Sequence, residues 1–96
     1  MTEEEIKSKL KSLAGWSYKD NSLQRDYEFV TFEAAIDFMV ECKPLISAKN
    51  HHPKWTNVYN KLHVDYNNHD EGNVVTEICF EMAKILEDVY QRAYSG

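Results

Sequence analysis

Hydrophobic positions along this chain switch between two periods, and the switches divide it into seven elements. Ile6, Leu10, Leu13 and Ala14 recur at helical spacing behind a Thr2–Glu5 capping pattern, and Gly15 is a natural stop, so a helix is predicted over 3–14. Glu3 and Glu4 suit the positive end of its dipole, and Lys7, Lys9 and Lys11 make a solvated face. Trp16 and Tyr18 then alternate with polar residues, and Asp20-Asn21-Ser22 is turn chemistry. Leu23, Arg25, Tyr27 and Phe29 alternate with Gln24, Asp26 and Glu28, which completes a β-hairpin with one half-buried face. Arg25 falls on the apolar face, which predicts a position at a sheet end or a subunit contact.

Thr31 is a good N-cap for a second helix, whose apolar stripe is Phe32, Ala35, Ile36, Met39 and Val40, extended by Leu45 and Ile46. Pro44 interrupts it. An interior proline loses one hydrogen bond and crowds the preceding turn, at ~3 kcal/mol. The expectation is a helix over 32–48, bent near Pro44. His51-His52-Pro53 follows as a stiff, extended corner, because proline holds the residue before it away from helical geometry. A third strand over 55–58, a turn at 59–61 and a fourth strand carrying Leu62, Val64 and Tyr66 lead to a polar loop over 67–72. Thr76 caps a last helix with Ile78, Met82, Ile85 and Val89 on one face, widened by Cys79, Phe80, Ala83 and Leu86. Residues 92–96 are expected to fray.

The order α-β-β-α-β-β-α implies an α+β fold, a four-stranded antiparallel sheet with three helices packed on one face. Aromatic residues on the other face would need cover from sheet-to-sheet or edge-to-edge association.

Composition narrows the class. Ninety-six residues make a single domain, 1–96, with a thin core that oligomerisation commonly supplements. A net charge of -5 with no run of lysine or arginine argues against direct nucleic-acid binding, leaving open a protein partner that itself binds DNA. The acidic start is no signal peptide and no apolar run reaches membrane-spanning length, so a cytoplasmic location is expected, with the nucleus accessible. Cys42 and Cys79 lie in apolar helical patterns and read as buried free thiols.

The candidate chemistry lies in the histidines. His51, His52 and His69 titrate near neutral pH and suit general acid–base work, with Trp55 as an aromatic wall. Neighbours on an extended chain point to opposite sides, so one of the pair faces a ligand while the other supports it or reaches from the rim. The same divergence argues against one metal ion held by all three, and no metal spacing signature is present. His63 alternates with core residues without a helpful neighbour and reads as a surface histidine; Trp55 alone suits core packing equally well. No nucleophile–base signature is present, since neither cysteine is near a histidine in sequence.

His51-His52-Pro53-Lys54-Trp55, then Asn57-Val58-Tyr59-Asn60-Lys61, then Asn68-His69 resembles the pterin-4a-carbinolamine dehydratases, a family also known as a dimerisation cofactor of a homeodomain transcription factor. Tyr59 stands six residues after the proline and His69 ten beyond it, the family's spacing. The resemblance implies dehydration of 4a-hydroxytetrahydropterin to quinonoid dihydropterin in tetrahydrobiopterin recycling, without metal or organic cofactor. It implies that His51, His52 and His69 carry catalysis and that Pro53, Trp55 and the loop with Asn68, Asp70 and Glu71 shape the pterin site. It also implies homodimers or homotetramers built through sheet edges and the second helix. The alternative is a non-catalytic dimerisation cofactor or assembly module of the same fold. Ser47, Asn50 and Cys79 depart from the family by removing charged groups near the histidines, with Glu77 two residues before the last position and able to substitute only if the register slips.

Overall fold

A computed structural model describes residues 1–95 of the chain. The elements are α1 (Glu3–Leu10), β1 (Trp16–Lys19), β2 (Ser22–Glu28), α2 (Phe32–Lys49), β3 (Lys54–Val58), β4 (Lys61–Tyr66), a 3₁₀ turn (His69–Glu71) and α3 (Glu77–Ala93). The expected order of helices and strands is the observed one. The strands form one antiparallel sheet in the order β1-β2-β4-β3, so β2 and β4 are central and β3 lies at an edge.

Register explains the two faces. Leu23 pairs with Tyr66, Arg25 with Val64 and Tyr27 with Leu62, and all these apolar residues are buried beneath the helices. The alternate register carries Gln24, Asp26 and Glu28 opposite Asp65, His63 and Lys61, flanked by Lys54, Thr56 and Val58 of β3. These outer strand positions hold no aromatic residue, so the condition for needing a second sheet is not met. The hairpin turn between β1 and β2 places Asp20 and Asn21 at φ 52° and 61°. Two left-handed residues match the twist of a tight hairpin, and Asp and Asn tolerate that conformation.

α1 starts on the expected capping box of Thr2 and Glu5 but ends at Leu10, four residues early. Successive i→i−3 bonds from Lys11, Ser12 and Leu13 tighten the chain there, turning Leu13 into the core. Gly15 follows at φ 90°, and a Cβ on it would lie 2.7 Å from the Arg25 guanidinium. The buried face of α2 is Ala35, Phe38, Cys42 and Ile46, rotated from the expected stripe. Val40 is 62% exposed and, with Phe32 and Ile36, makes an adjoining apolar strip at i, i+4, i+8. The apolar band was too broad for periodicity to locate its centre. α2 runs through Pro44 as one helix, and both Pro44 and Val40, whose carbonyl loses its partner, lie on the exposed side.

Two further expectations are corrected. Arg25 is neither at a sheet end nor free for a subunit contact; its Nε and Nη2 donate to Glu87 of α3 at 3.0 and 3.1 Å. The chain's end does not fray from Arg92. α3 continues to Ala93, Tyr94 packs edge-on against Phe29 and Phe38, and Arg92 and Tyr94 both donate to Glu41. Gly96 lies outside the described residues. Cys42 and Cys79 are buried free thiols, as expected. No helix among the described residues is long and apolar enough to cross a membrane.

Candidate active site

The site begins with how α2 stops. Asn50, the C-cap, adopts the left-handed conformation (φ 51°, ψ 39°) and returns its N–H to the Ser47 carbonyl at 3.1 Å. Asparagine is one of the few residues that takes this conformation at low cost, which accounts locally for its presence there. The chain then turns sharply into His51-His52-Pro53 and enters the edge strand β3.

The two imidazoles diverge, as extended backbone requires. His51 turns toward the interior and is half-buried. Its ring stacks on Tyr66, with centroids 5.3 Å apart and planes 16° apart, and the Tyr66 hydroxyl donates to the His51 carbonyl at 3.1 Å. Its Nε2 lies 3.5 Å from the Cys79 sulfur, in the first turn of α3. His52 is exposed and forms a wall common to two clefts. One, about 390 Å³, is lined by His52, Lys54, Asp65, Asn67 and His69 together with residues of the first hairpin. The other, about 270 Å³, is lined by His52, Pro53 and Trp55 with Lys43, Ile46 and Ser47 from the end of α2. The larger falls in the size range of small-molecule sites.

His69 comes from the 3₁₀ turn, and Asn68 shapes that turn. The Asn68 side chain accepts from the Asp70 N–H at 3.1 Å and donates to Thr76 Oγ1 at 3.3 Å, while its backbone pairs with Val74. Thr76 occupies the N-cap position of α3, but its hydroxyl makes no capping bond; it serves the loop instead. Burial lowers the His51 pKa from its ordinary value, the charge on His52 lowers it further, Asp70 opposes the shift, and His69 adds to it. His51, His52, His69 and Asp70 therefore occupy one electrostatic neighbourhood.

The remaining candidates sort by position. Pro53 and Trp55 join His52 in the smaller cleft, and Trp55 is half-buried against the core edge. Asn68 is committed to the loop. Asp70 and Glu71 are exposed, and neither lines the two clefts around His52. Among the described residues no group of three or more His, Cys, Asp or Glu is placed to hold a metal ion.

His63 does have neighbours, contrary to expectation. Its Nδ1 lies 2.6 Å from Asp26 and its Nε2 3.1 Å from Asp65 on the outer face of the sheet. The Asp26 hydrogen bond is the leading cause of a raised His63 pKa. Asp65 also accepts from Ser22 at 2.8 Å and reaches the wall of the larger cleft. Its position two residues after His63 marked it for the same face, but only cross-strand pairing shows that Asp26 joins them. Cys79 and Tyr66 were invisible as partners of His51, being 28 and 15 residues away.

The family described as pterin 4 alpha carbinolamine dehydratase matches residues 1–89. This chain belongs to that family. A Christiangramia forsetii protein, named provisionally as a pterin-4-alpha-carbinolamine dehydratase, is 36% identical over 91 residues, 95% of this chain and 93% of its own. A Rhizobium leguminosarum bv. trifolii protein with the same provisional name is 37% identical, covering 91% and 87% of the two chains. The crystal structure of a transcriptional coactivator/pterin dehydratase from Brucella melitensis superposes with a TM-score of 0.88 at 33% identity, covering 93% of this chain and 96% of that one. A pterin-4a-carbinolamine dehydratase fold thus presents the His51–His52 corner, the His69 turn and the two clefts that meet at His52.

Proposed function

We propose that the protein dehydrates a 4a-hydroxytetrahydropterin to the quinonoid dihydropterin by histidine general acid–base catalysis, as part of tetrahydropterin cofactor recycling. The observation that carries this reading is the presence of His52 and His69 on the wall of one cleft, with His51 in their electrostatic neighbourhood. The reaction breaks the C4a–oxygen bond and removes the N5 proton, releasing water. One imidazole delivers a proton to the departing hydroxyl and another takes the N5 proton. Each contributes roughly 10²–10⁴-fold when correctly placed. Trp55 and Pro53 offer apolar surface to a flat bicyclic ring on the other side of His52. Lys54 and Asp65 give the larger cleft one charge of each sign for the polar edge of the pterin. Asp70 supports the histidine cluster from the turn. The expected location is the cytoplasm, with the nucleus accessible.

A second reading shares the fold: a non-catalytic dimerisation cofactor or protein-assembly module. The strip of Phe32, Ile36 and Val40 on α2 favours self-association into a homodimer or homotetramer, because it leaves apolar surface uncovered. The test is a crystal structure with an oxidised dihydropterin analogue. Density between His52 and His69, with a polar ring atom in hydrogen-bond reach of either, supports the dehydratase. An analogue seated instead on the outer face beside Asp26 and His63, or no binding at millimolar analogue, refutes it.

A further inference from the structure

The acid–base reading leaves one contact unused: the His51 ring nitrogen against a buried thiol. Nε2 is 3.5 Å from the Cys79 sulfur. Cys79 itself is fully buried, and its other side-chain neighbour, Thr76 Oγ1, is 4.0 Å away, at the limit of a sulfur hydrogen bond. The Thr76 hydroxyl already accepts from Asn68. No buried side-chain nitrogen or oxygen among the described residues lacks a partner, and Nδ1 of His51 makes no hydrogen bond within the chain. Nδ1 is therefore left accessible, while Nε2 is turned inward against Cys79; His51 itself lines neither of the two clefts that meet at His52.

We propose that Cys79 is the positioning residue of His51: its thiol donates to Nε2, which fixes the neutral ring with its proton on Nδ1, the nitrogen left accessible. Three features select this direction of the bond. A thiol is a weak donor and sulfur a still poorer acceptor, whereas an unprotonated imidazole nitrogen is a good acceptor. Burial raises the Cys79 pKa, so the sulfur keeps its proton at neutral pH and is no nucleophile. Nε2 is the strongest acceptor within its reach. The stack on Tyr66 and the Tyr66 bond to the His51 carbonyl hold the ring in that plane.

The groups facing His51 come from every surrounding element. Burial, His52 on its own segment and His69 on the 3₁₀ turn favour the neutral ring; Asp70 opposes them, Tyr66 is uncharged, and the first turn of α3 brings the uncharged Cys79 together with the acidic Glu77. A carboxylate at position 79 would do the reverse, taking a proton from Nε2–H and holding the imidazolium. The thiol thus changes the task of His51. It becomes a neutral N–H donor to the departing 4a-oxygen, and the proton transfers pass to His52 and His69. That catalytic consequence rests on the dehydratase reading; the tautomer does not.

The test combines nitrogen NMR of the histidine rings with steady-state kinetics on the wild type, C79A, C79S and C79D. Wild-type His51 is expected in the Nδ1–H form. C79A releases it toward the Nε2–H form that an unconstrained histidine side chain favours, and C79S restores the wild-type form. C79D raises the His51 pKa by about one unit or more, as a carboxylate at hydrogen-bond distance should. In parallel kcat falls in C79A, by up to about 100-fold, with KM little changed, and recovers in C79S. A wild-type Nε2–H tautomer, or C79A with both tautomer and kcat unaltered, overturns the proposal. If the wild type holds the Nδ1–H form yet dehydrates no pterin, the positioning stands and the dehydratase reading fails.

Discussion

Replacing Glu87 by glutamine keeps the shape of a buried side chain and removes the charge on which its neighbours converge. Trp16 Nε1, Tyr27 Oη and Arg25 Nε donate to one carboxylate oxygen at 2.8, 2.9 and 3.0 Å; Arg25 Nη2 and Gln91 donate to the other at 3.1 and 2.8 Å. A carboxamide has one acceptor oxygen. Turned to keep the first three bonds, it points its NH₂ at two donors. Gln91 is exposed and can swing to water, but the guanidinium lies 4.4 Å from the Tyr27 ring centre and 5.3 Å from that of Tyr90. An unsatisfied buried donor costs ~1–3 kcal/mol and an uncompensated buried charge brings the total to ~3–5 kcal/mol. For a chain of this size about 3 kcal/mol lowers Tm by roughly 12–24 °C. Urea titration followed by circular dichroism measures the loss.

The double variant R25L/E87L removes both charges but does not recover the loss, since it leaves the buried Trp16 indole N–H and Tyr27 hydroxyl without their acceptor, at ~1–3 kcal/mol each. The pH dependence adds a second signature. Desolvation raises the Glu87 pKa, but hydrogen bonds from Arg25, Gln91, Tyr27 and Trp16 outweigh it and hold the carboxyl below its ordinary range. Its contribution is therefore fully present above the unfolded value of ~4.3 and disappears as pH falls through the folded pKa. E87Q lacks that acid-side decline. A loss below about 1 kcal/mol in E87Q, or an acid decline identical to wild type, refutes the account of this pair.

Further outcomes follow from local geometry. His63 has a folded pKa raised first by the Asp26 hydrogen bond, so its stabilisation is complete below ~6.5 and lost as pH rises through the folded value; urea midpoints at pH 5.5 and 8.5 should draw together in D26N. The effect is small, since the pair is largely exposed. Gly15→Ala puts a Cβ against Arg25 at φ 90° and should cost ~1–3 kcal/mol by the same titration. Asn50→Val strains the left-handed cap by ~1–2 kcal/mol and displaces the histidine corner, whereas Asn50→Gly is tolerated; pterin KM rises in the first and holds in the second.

Local pattern carried much of the fold into view. Alternation in β2 and β4 announced which faces are buried, and the Thr2 and Thr31 caps started their helices where expected. The His51-His52-Pro53 corner was legible because proline restricts the residue before it, whereas the left-handed cap at Asn50 that turns the chain into it appeared only in the structure. What escaped were partners distant in sequence. Arg25 could not be matched to Glu87 across 62 residues, nor His63 to Asp26 across 37, because those contacts arise only when the sheet pairs and α3 docks. The end of α1 was misjudged because Leu13 fits the helical period equally well as the last helical residue or as the first core residue beyond a tightened turn. Thr76 was read as a cap, but its hydroxyl is taken by the Asn68 loop.

The central claim is that these histidines dehydrate a pterin. The direct measurement generates 4a-hydroxytetrahydropterin in situ and follows its conversion to quinonoid dihydropterin by stopped-flow absorbance, with wild type, H51A, H52A and H69A at equal concentration. The account predicts wild-type acceleration over the spontaneous reaction and a loss of roughly 10²–10⁴-fold in kcat/KM for H52A and H69A. H51A falls as well, with denaturation midpoints near wild type for the exposed His52 and His69. Equal rates in wild type and all three variants, or no acceleration over buffer by folded wild type, contradict it.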